Sequence, residues 1–333
     1  MTLGDVVPVE DQEECYLAPA LKEIEQMDED AKKNNYQMEL VWANVFIQIA
    51  LHIGAFIGIY QSMYDAHWKT NVWMFVMVFY AGNSITGGAH RLWCHKAYKA
   101  NFWVRLFYMI GTTIAVQNDV IEWSRDHRCH HKWADSDADP HNINRGFFFA
   151  HMGWLMCRKH PKVKEMGAKI DLSDLEADPI LAFQRRYYIL LVPLTFLFLT
   201  FVPVYFWNEH VAVAFYVGAV LRLTIQLHGT WFINSLAHMW GYQPFDTKIT
   251  AVDNFFVAVL TNGEAWHNYH HTFPQDYRAS EYMWKGNTTA MFIDFCAWNG
   301  WVWDRKRMSK EAIERQKTQK GDHSRPLPAA HEF

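Results

Sequence analysis

The chain has 333 residues, of which half are hydrophobic and 16% are aromatic, and its formal net charge is −4. This acidic balance excludes nucleic acid as a partner, because binding to a phosphate backbone requires a basic surface. The five cysteines are scattered and form no Cys-x-x-Cys pair, so we predict a reducing environment without a disulfide framework. The first forty residues are acidic and polar, and no signal peptide is predicted there.

Residues 1–35 are predicted to form a mostly solvated cytosolic arm, with helical character around residues 21–33. Beyond the arm, four stretches almost free of charge have about the 20 residues that a helix needs to cross the hydrocarbon core. Short links join the first span to the second and the third to the fourth, which predicts two helical hairpins. The fourth span carries Arg222, and an arginine inside a membrane usually faces the interior of the helix bundle. The predicted spans are residues 41–64, 70–90, 187–208 and 211–233.

The distribution of basic residues predicts how the spans are oriented. Of the 31 lysine and arginine residues, only Lys69 lies in a hairpin tip and only Arg222 in a span, which leaves 29 on the other side. The positive-inside rule makes that side cytosolic, so both termini are predicted to face the cytosol. Residues 91–186 and 234–304 then form a cytosolic cap, in which the apolar stretch 103–116 is too short for a span and lies in the interface or against the cap. Residues 305–333 are predicted to be a polar tail that is disordered or loosely helical.

Eight histidines are concentrated in three short clusters beside the apolar stretches. In His-x-x-His-His the i+3 and i+4 neighbours share one helix face, so one helix can supply ligands to two adjacent metals. In His-x4-His the spacing suits an α-helix poorly, and we expect a bend or a helix end there. An even number of spans separates the clusters, which places all of them on one side of the membrane. They are His90 and His95; His127, His130 and His131; and His267, His270 and His271.

A ninth candidate ligand is His238, which follows the fourth span. Asn234 lies one helical turn before it on the same face, and its amide is expected to bind a metal directly or through a water molecule. An all-imidazole set suits Zn, Cu, Fe or Ni, so the ligand type alone does not choose the metal. The other histidines are predicted to have surface or structural roles, with His141, His151 and His228 nearest to the site.

Seven segments lie around these histidines: Gly88-Ala-His-Arg-Leu-Trp, Gln117-Asn-Asp, Trp123-Ser-Arg-Asp-His-Arg-Cys-His-His-Lys, Asp137-Ala-Asp-Pro-His-Asn, Arg145-Gly-Phe-Phe-Phe-Ala-His-Met-Gly-Trp, Asn234-Ser-Leu-Ala-His and His267-Asn-Tyr-His-His-Thr-Phe-Pro. Together they closely resemble the membrane acyl-CoA desaturases of the stearoyl-CoA Δ9 type. The resemblance covers residues 36–304. Other histidine-box families, such as alkane hydroxylases and sterol oxidases, share the idea of the boxes but not these segments.

The resemblance implies an all-α integral membrane protein of the endoplasmic reticulum, with four transmembrane helices in two hairpins and a helical cytosolic cap that holds a histidine-box dimetal site. It implies an enzyme that introduces a cis double bond, at Δ9, into a saturated fatty acyl-CoA with O2 and two electrons. The implied cofactors are two iron ions (Fe2+), and zinc can replace them in a purified preparation. The implied electron donors are cytochrome b5 and NADH-cytochrome b5 reductase, as separate proteins because the chain carries no His-Pro-Gly-Gly haem motif. Membrane lipid is the remaining partner.

The resemblance also implies the residues of the site. The dimetal centre itself is catalytic, and no side chain acts as a separate acid or base in the reaction. The implied metal ligands are His90, His95, His127, His130, His131, His238, His267, His270 and His271, with Asn234 acting through water. The implied contacts of the acyl-CoA headgroup are Asn44, Asn118, Arg125, Asp126, Arg158 and Lys159. The residues implied to shape a bend in the acyl tunnel are Gln117, Trp123, Thr230 and Trp231.

Some alternatives stay open at this stage. Ala43 stands where the family usually has Arg, and Val78 and Gly82 lie where the family's tunnel ends, so the preferred chain length is open. Arg158 and Lys159 also fit an ordinary solvated pair. The same chemistry can give a Δ11 desaturase or a lipid hydroxylase. A membrane metal or haem carrier is a rival from another class, but transporters place their ligands near the bilayer midplane, whereas these clusters follow the spans.

Overall fold

The structure is a computed structural model that describes residues 6–9, 19–33, 36–282 and 285–324. The rest of the predicted arm and tail lies outside the described residues. The helices are α1 (Leu21–Lys33), α2 (Trp42–Tyr64), α3 (Trp68–Cys94), α4 (Phe102–Ala115), α5 (Val120–Lys132), α6 (Phe147–His151), α7 (Pro161–Gly167), α8 (Ser173–Glu176), α9 (Pro179–Trp207), α10 (Val211–His238), α11 (Phe255–Leu260), α12 (His267–Thr272), α13 (Thr288–Trp298) and α14 (Lys310–Lys320). Short strands are β1 (Val6–Val9), β2 (Lys99–Ala100), β3 (Val302–Trp303) and β4 (Arg305–Met308), and 3-10 turns cover Ile143–Arg145 and Gly153–Met156.

Within the described residues, four helices are long and apolar enough to cross a membrane, namely α2, α3, α9 and α10. This confirms the predicted helical fold with four spans in two hairpins. Three of the observed helices are longer than the predicted spans, since α3 continues to Cys94, α9 begins at Pro179 and α10 continues to His238. The Asp178 carboxylate accepts a hydrogen bond from the Ile180 N–H at 2.9 Å and so caps the start of α9. The extra turns lie on the side of the histidine clusters and join the spans to the cap.

Helix α10 is the most buried of the four spans and packs against the other three. A Cβ atom at Gly58 of α2 would lie 2.5 Å from the main-chain oxygen of Tyr216, so glycine is what allows these two helices to approach. Arg222 is fully buried in α10, as expected for an arginine that faces the interior of the bundle.

Helix α4 lies beside the spans with one apolar face outward and one inward. Trp103 and Phe102 are exposed, whereas Tyr108 and Met109 are buried against the core of the cap. Its Asn101 side chain accepts a hydrogen bond from the Val104 N–H, which caps the first turn. An exposed aromatic face on a short helix is typical of the membrane interface, and the inner face packs against the cap, so α4 is compatible with both predicted positions.

The beginning of the predicted polar tail is ordered in residues 305–324, where α14 agrees with the helical alternative of the prediction and not with disorder. Strand β4 pairs in parallel with β1, and helix α14 is capped by the Ser309 hydroxyl. Three apolar side chains fix this segment: Met308, Ala312 and Ile313 are buried in a cluster with Tyr269 and other aromatic residues. The sequence did not reveal these few apolar positions, because the tail around them is highly charged.

Replacing Ile313 by alanine is expected to destabilise the cap, because its side chain is only 5% exposed within that cluster. We expect a loss of about 2–4 kcal/mol, the range for large-to-small changes in a packed core. Thermal unfolding in detergent, followed by tryptophan fluorescence, measures the effect. The exposed Lys310 on the same helix gives the control Lys310→Ala, and equal unfolding midpoints for the two variants would show that the tail is not docked.

Candidate metal centre

The nine candidate imidazoles come together on one side of the four spans, in two neighbouring groups. Within each group the ligand nitrogens all lie within 4.8 Å of one another. The two groups touch, since the rings of His131 and His271 stack with centroids 4.2 Å apart. The first group contains His90, His95, His127, His131 and His270; the second contains His130, His238, His267 and His271.

The contacts inside each group join Nε2 atoms to Nε2 atoms. In the first group, the Nε2 atoms of His90 and His131 both lie 2.9 Å from that of His270. In the second group, the Nε2 atom of His267 lies 3.1 Å from those of His238 and His271. A neutral imidazole whose Nδ1 carries the proton presents only a lone pair at Nε2. Several lone pairs directed at one point are repulsive without a cation between them, so this donor set fits a metal ion in each group.

Helices α5 and α12 each supply both groups, through the spacing of the His-x-x-His-His motif. On α5, His127 and His131 belong to the first group and His130 to the second. On α12 the assignment is reversed, with His267 and His271 in the second group and His270 in the first. The i,i+4 pair faces one group and the i+3 residue faces the other, because successive residues are turned by about 100° along a helix.

The pair His90 and His95 is positioned by a π-helix at the end of α3. The π-helical segment covers Ser84–Cys94, and the His95 N–H donates to the His90 carbonyl at 3.0 Å. An i→i+5 hydrogen bond brings residues five apart onto the same face, which an α-helix does not do. The expected helix end is therefore present, and the wider turn before it aligns the two rings.

Buried oxygens hold several of these rings by their other nitrogen. The Nδ1–H of His90 donates to Glu264 at 2.6 Å, and that of His130 donates to Asp139 at 2.7 Å. The Nδ1–H of His238 donates at 3.0 Å to the Thr250 hydroxyl. Such partners fix the tautomer and leave the Nε2 lone pair free for a metal.

Sequence reasoning did not identify these carboxylates as part of the site. Glu264 lies in a loop and is buried together with Arg91, whose guanidinium donates to it at 2.5 Å. Asp139 is also buried and accepts the main-chain N–H of Asp135 at 2.9 Å. The signal was present as acidic residues beside the histidine clusters, but only the tertiary structure shows which ring each one contacts.

Burial keeps most of the cap imidazoles neutral, since it disfavours the charged form, and the neighbouring rings add to this effect. At His130 the carboxylate of Asp139 outweighs the burial and raises the pKa, so a metal would compete there with a proton for the ring nitrogen. A neutral ring is the form that binds a metal. The pKa is lowered well below its usual value for His95, His127, His131, His267, His270 and His271.

A cavity of about 410 Å³ opens beside the first group. His90, His127 and Asn234 line it near the imidazoles, and its opposite end is formed by apolar side chains such as Phe75 and Val78. Asn234 lies in the cavity wall. Its water-mediated contact with a metal stays a prediction.

Two of the four residues implied to shape a bend, Trp123 and Thr230, line this cavity. The Trp123 ring stacks on His127 with centroids 4.8 Å apart, and it lines the cavity. The Gln117 amide donates to the Thr230 hydroxyl at 2.9 Å, which ties the start of the cap to α10. Trp231 does not line the cavity and is buried in a cluster with apolar neighbours.

Among the implied headgroup residues, three form one charged cluster. Arg125 donates to Asp126 at 2.9 Å, and Lys159 forms an ion pair with the same carboxylate. Arg125 also lies 3.2 Å from Glu122. Two cations on a partly exposed surface suit phosphate oxygens.

The other implied headgroup residues lie apart from this cluster. Arg158 pairs with Glu39 at 2.8 Å and its side chain is 67% exposed, which fits a solvated pair as well as a headgroup contact. Asn44 donates to the main-chain oxygen of Leu155 at 2.8 Å. Asn118 adopts a left-handed conformation with φ +70° in the link before α5.

The remaining central histidines occupy positions around the site. His141 lies 3.2 Å from Asp139, beside His130. His151 and His228 are joined at 3.0 Å, and His228 also contacts His52 of α2 at 3.2 Å. These contacts link α6, α10 and α2.

Comparison with known proteins gives a consistent result over most of the chain. The model of the family described as fatty acid desaturase matches residues 66–283. The Delta(9)-fatty-acid desaturase fat-6 of Caenorhabditis elegans is 54% identical, over 92% of this chain and 91% of that protein. The acyl-CoA Delta-9 desaturase of Acheta domesticus is 47% identical, over 89% of this chain and 83% of that protein. The stearoyl-CoA desaturase of Homo sapiens is 48% identical, over 86% of this chain and 80% of that protein.

Proposed function

The chain belongs to the fatty acid desaturase family and is an acyl-CoA Δ9 desaturase, and we propose that its two imidazole groups hold two iron ions beside the acyl chain. The observation that carries this proposal is the cavity that begins at His90 and His127 and ends among apolar side chains. A saturated chain has no polar group to hold it, so an apolar cavity that excludes water is what aligns it.

The bound metals would supply the activation of O2, a chemistry that no protein side chain provides. The residues of the chain have other tasks. The nine imidazoles hold the metals, Glu264 and Asp139 orient His90 and His130, and the cavity positions the two methylene groups that lose hydrogen. Asn234 is proposed to reach one metal through water. We also propose iron as the native metal, with zinc as a substitute after purification.

The acyl-CoA headgroup is proposed to bind at the charged cluster on the cap, where Arg125 and Lys159 face its phosphate groups. Asn44, Asn118, Asp126 and Arg158 are proposed as further contacts, and Gln117, Trp123, Thr230 and Trp231 as the wall of a bend. The distance from this anchor to the metals then selects the carbon that is oxidised. The enzyme can therefore place the double bond at one position without a side chain that recognises the reacting carbon atom.

We further propose that electrons come from cytochrome b5 and its NADH-dependent reductase, and that the protein lies in the endoplasmic reticulum membrane with both termini cytosolic. The distribution of basic residues supports this orientation. The proposed domain division is an arm of residues 1–35, a desaturase domain of residues 36–304 and a tail of residues 305–333.

Expression in a yeast strain that lacks its own Δ9 desaturase tests the function. We expect growth without added unsaturated fatty acid and a cis-Δ9 product in the fatty-acid profile by gas chromatography. A Δ11 or hydroxylated product would contradict the proposed position or outcome of the reaction. Absence of any product from well-expressed protein would contradict the function.

Replacing Arg125 by glutamine is expected to raise the KM for acyl-CoA about tenfold with little change in kcat, because a charge-assisted contact to phosphate is made equally in the ground and transition states. Steady-state kinetics with purified electron donors measures both constants. The control is Lys164→Gln, which removes a cation from an exposed position in α7. If the KM is unchanged in the Arg125 variant, the headgroup does not bind at this cluster.

A further inference from the structure

The acyl cavity has two carboxamides in a mostly apolar wall. Gln226 of α10 and Asn262, just after α11, both line it. The apolar end lies beyond them, at Phe75, Val78 and Phe79. A saturated acyl chain needs no hydrogen-bonding group at this level, so two carboxamides are unexpected in this part of the wall.

Both carboxamides are available to a ligand. In the part of the chain that the structure describes, the side chains of Gln226 and Asn262 make no hydrogen bond. Gln226 is only 7% exposed and Asn262 is partly buried, and both form part of the cavity wall. Buried amides are almost always paired, since an unpaired one is costly.

Both amides approach the same glycine. A Cβ atom at Gly82 would lie 2.8 Å from Asn262 Nδ2 and 3.4 Å from Gln226 Oε1. Because Gly82 has no side chain, Asn262 Nδ2 can take the place of its Cβ atom, and both amides lie against α3 at this point of the cavity wall. Each carboxamide carries a donor and an acceptor, so together they offer what a hydroxyl group needs, which is one of each.

The position of the two amides along the cavity follows from helix geometry. Gly82 precedes His90 by about two turns of α3, which corresponds to a separation on the order of 10 Å along the helix axis. The amides are thus well beyond the methylene groups next to the metals, on the side of the apolar end. A group bound there belongs to the distal half of the acyl chain.

We propose that the cavity takes saturated acyl-CoA chains that carry a hydroxyl group in their distal half, held between Gln226 and Asn262. The inference rests on the proposed function and adds a substrate class to it. An unsubstituted chain fills the same cavity but leaves both amides unpaired. A site that hydrogen-bonds a hydroxyl group discriminates against the analogue that lacks it.

The test compares stearoyl-CoA with a series of stearoyl-CoAs hydroxylated at successive carbons of the distal half. The measured quantity is the ratio of kcat/KM for each hydroxylated chain to kcat/KM for the plain chain, which does not depend on the fraction of active enzyme. For at least one position in the series, we expect the variants Gln226→Leu and Gln226→Met to lower this ratio roughly tenfold. The control Ile225→Leu alters an apolar residue of the same wall and is expected to keep the ratio.

The outcomes separate the two proposals. Equal ratios in the wild type and in both Gln226 variants, at every position of the hydroxyl group, would overturn this inference and indicate that water satisfies the amides. In that case, desaturation of stearoyl-CoA by the wild type would leave the function itself intact. No product from any chain in the wild type would overturn the proposed function.

Discussion

Replacing His130 by alanine is expected to abolish desaturation while leaving insertion into the membrane intact. His130 is fully buried in the second imidazole group, and its ring is held by Asp139 at 2.7 Å. Removing a group that hydrogen-bonds a metal ligand typically lowers metal affinity or activity by 10–100-fold. For the loss of a ligand itself, we therefore expect desaturase activity to fall by more than about a hundredfold. Product formation in microsomes and iron content per chain measure the effect.

The matched control is His323→Ala, because His323 is an exposed histidine beyond α14 and far along the chain from the boxes. Both variants should fractionate with membranes and give similar yields. Wild-type product formation by the His130 variant would refute its assignment as a ligand. A loss of yield in the His130 variant alone would indicate that the ring is needed for folding rather than for the metal.

Replacing Glu264 by alanine is expected to have the largest effect on stability, because it breaks a buried ion pair. Glu264 contacts both Arg91 at 2.5 Å and His90 at 2.6 Å, and Arg91 is 1% exposed. Removing one partner of a buried pair leaves an uncompensated charge and costs about 3–5 kcal/mol. The same change frees the His90 ring, so metal bound by the first group should also be weakened.

Thermal unfolding of the detergent-solubilised protein, with and without added Fe2+, measures both parts of this effect. The exposed pair of Glu176 and Arg185, 4.0 Å apart, supplies the control Glu176→Gln, for which we expect an unchanged midpoint. A Glu264 variant as stable as this control would show that the buried pair does not hold the site together. The variant Glu264→Gln keeps one acceptor for His90 and is expected to retain more metal than Glu264→Ala.

The spans and the histidine groups were predictable from the sequence because their signals are local. A charge-free run of about 20 residues is typical of a membrane span, and the His-x-x-His-His spacing fixes which rings share a helix face. The parity of the spans then places the clusters on one side of the membrane. The two-group arrangement of the rings also agrees with the expectation that one helix serves two metals.

Other features depend on tertiary contacts that the sequence does not reveal. The π-helix at Ser84–Cys94 and the partners of His90 and His130 come from packing against distant segments. The docking of α14 rests on two or three apolar side chains in a charged segment, too few to produce a clear periodic signal. The approach of Gln226 and Asn262 to Gly82 joins three separate segments of the chain.

The sharing of α5 and α12 between the two imidazole groups has a consequence for how the centre assembles. An ion in either group would fix both helices in place, and in doing so it would order the rings that the other group requires. We therefore expect cooperative uptake of two ions, since the first ion would meet the ordering cost that the second then avoids. At limiting metal supply, the population should consist mainly of chains with no ion or with two, and singly loaded chains should be scarce.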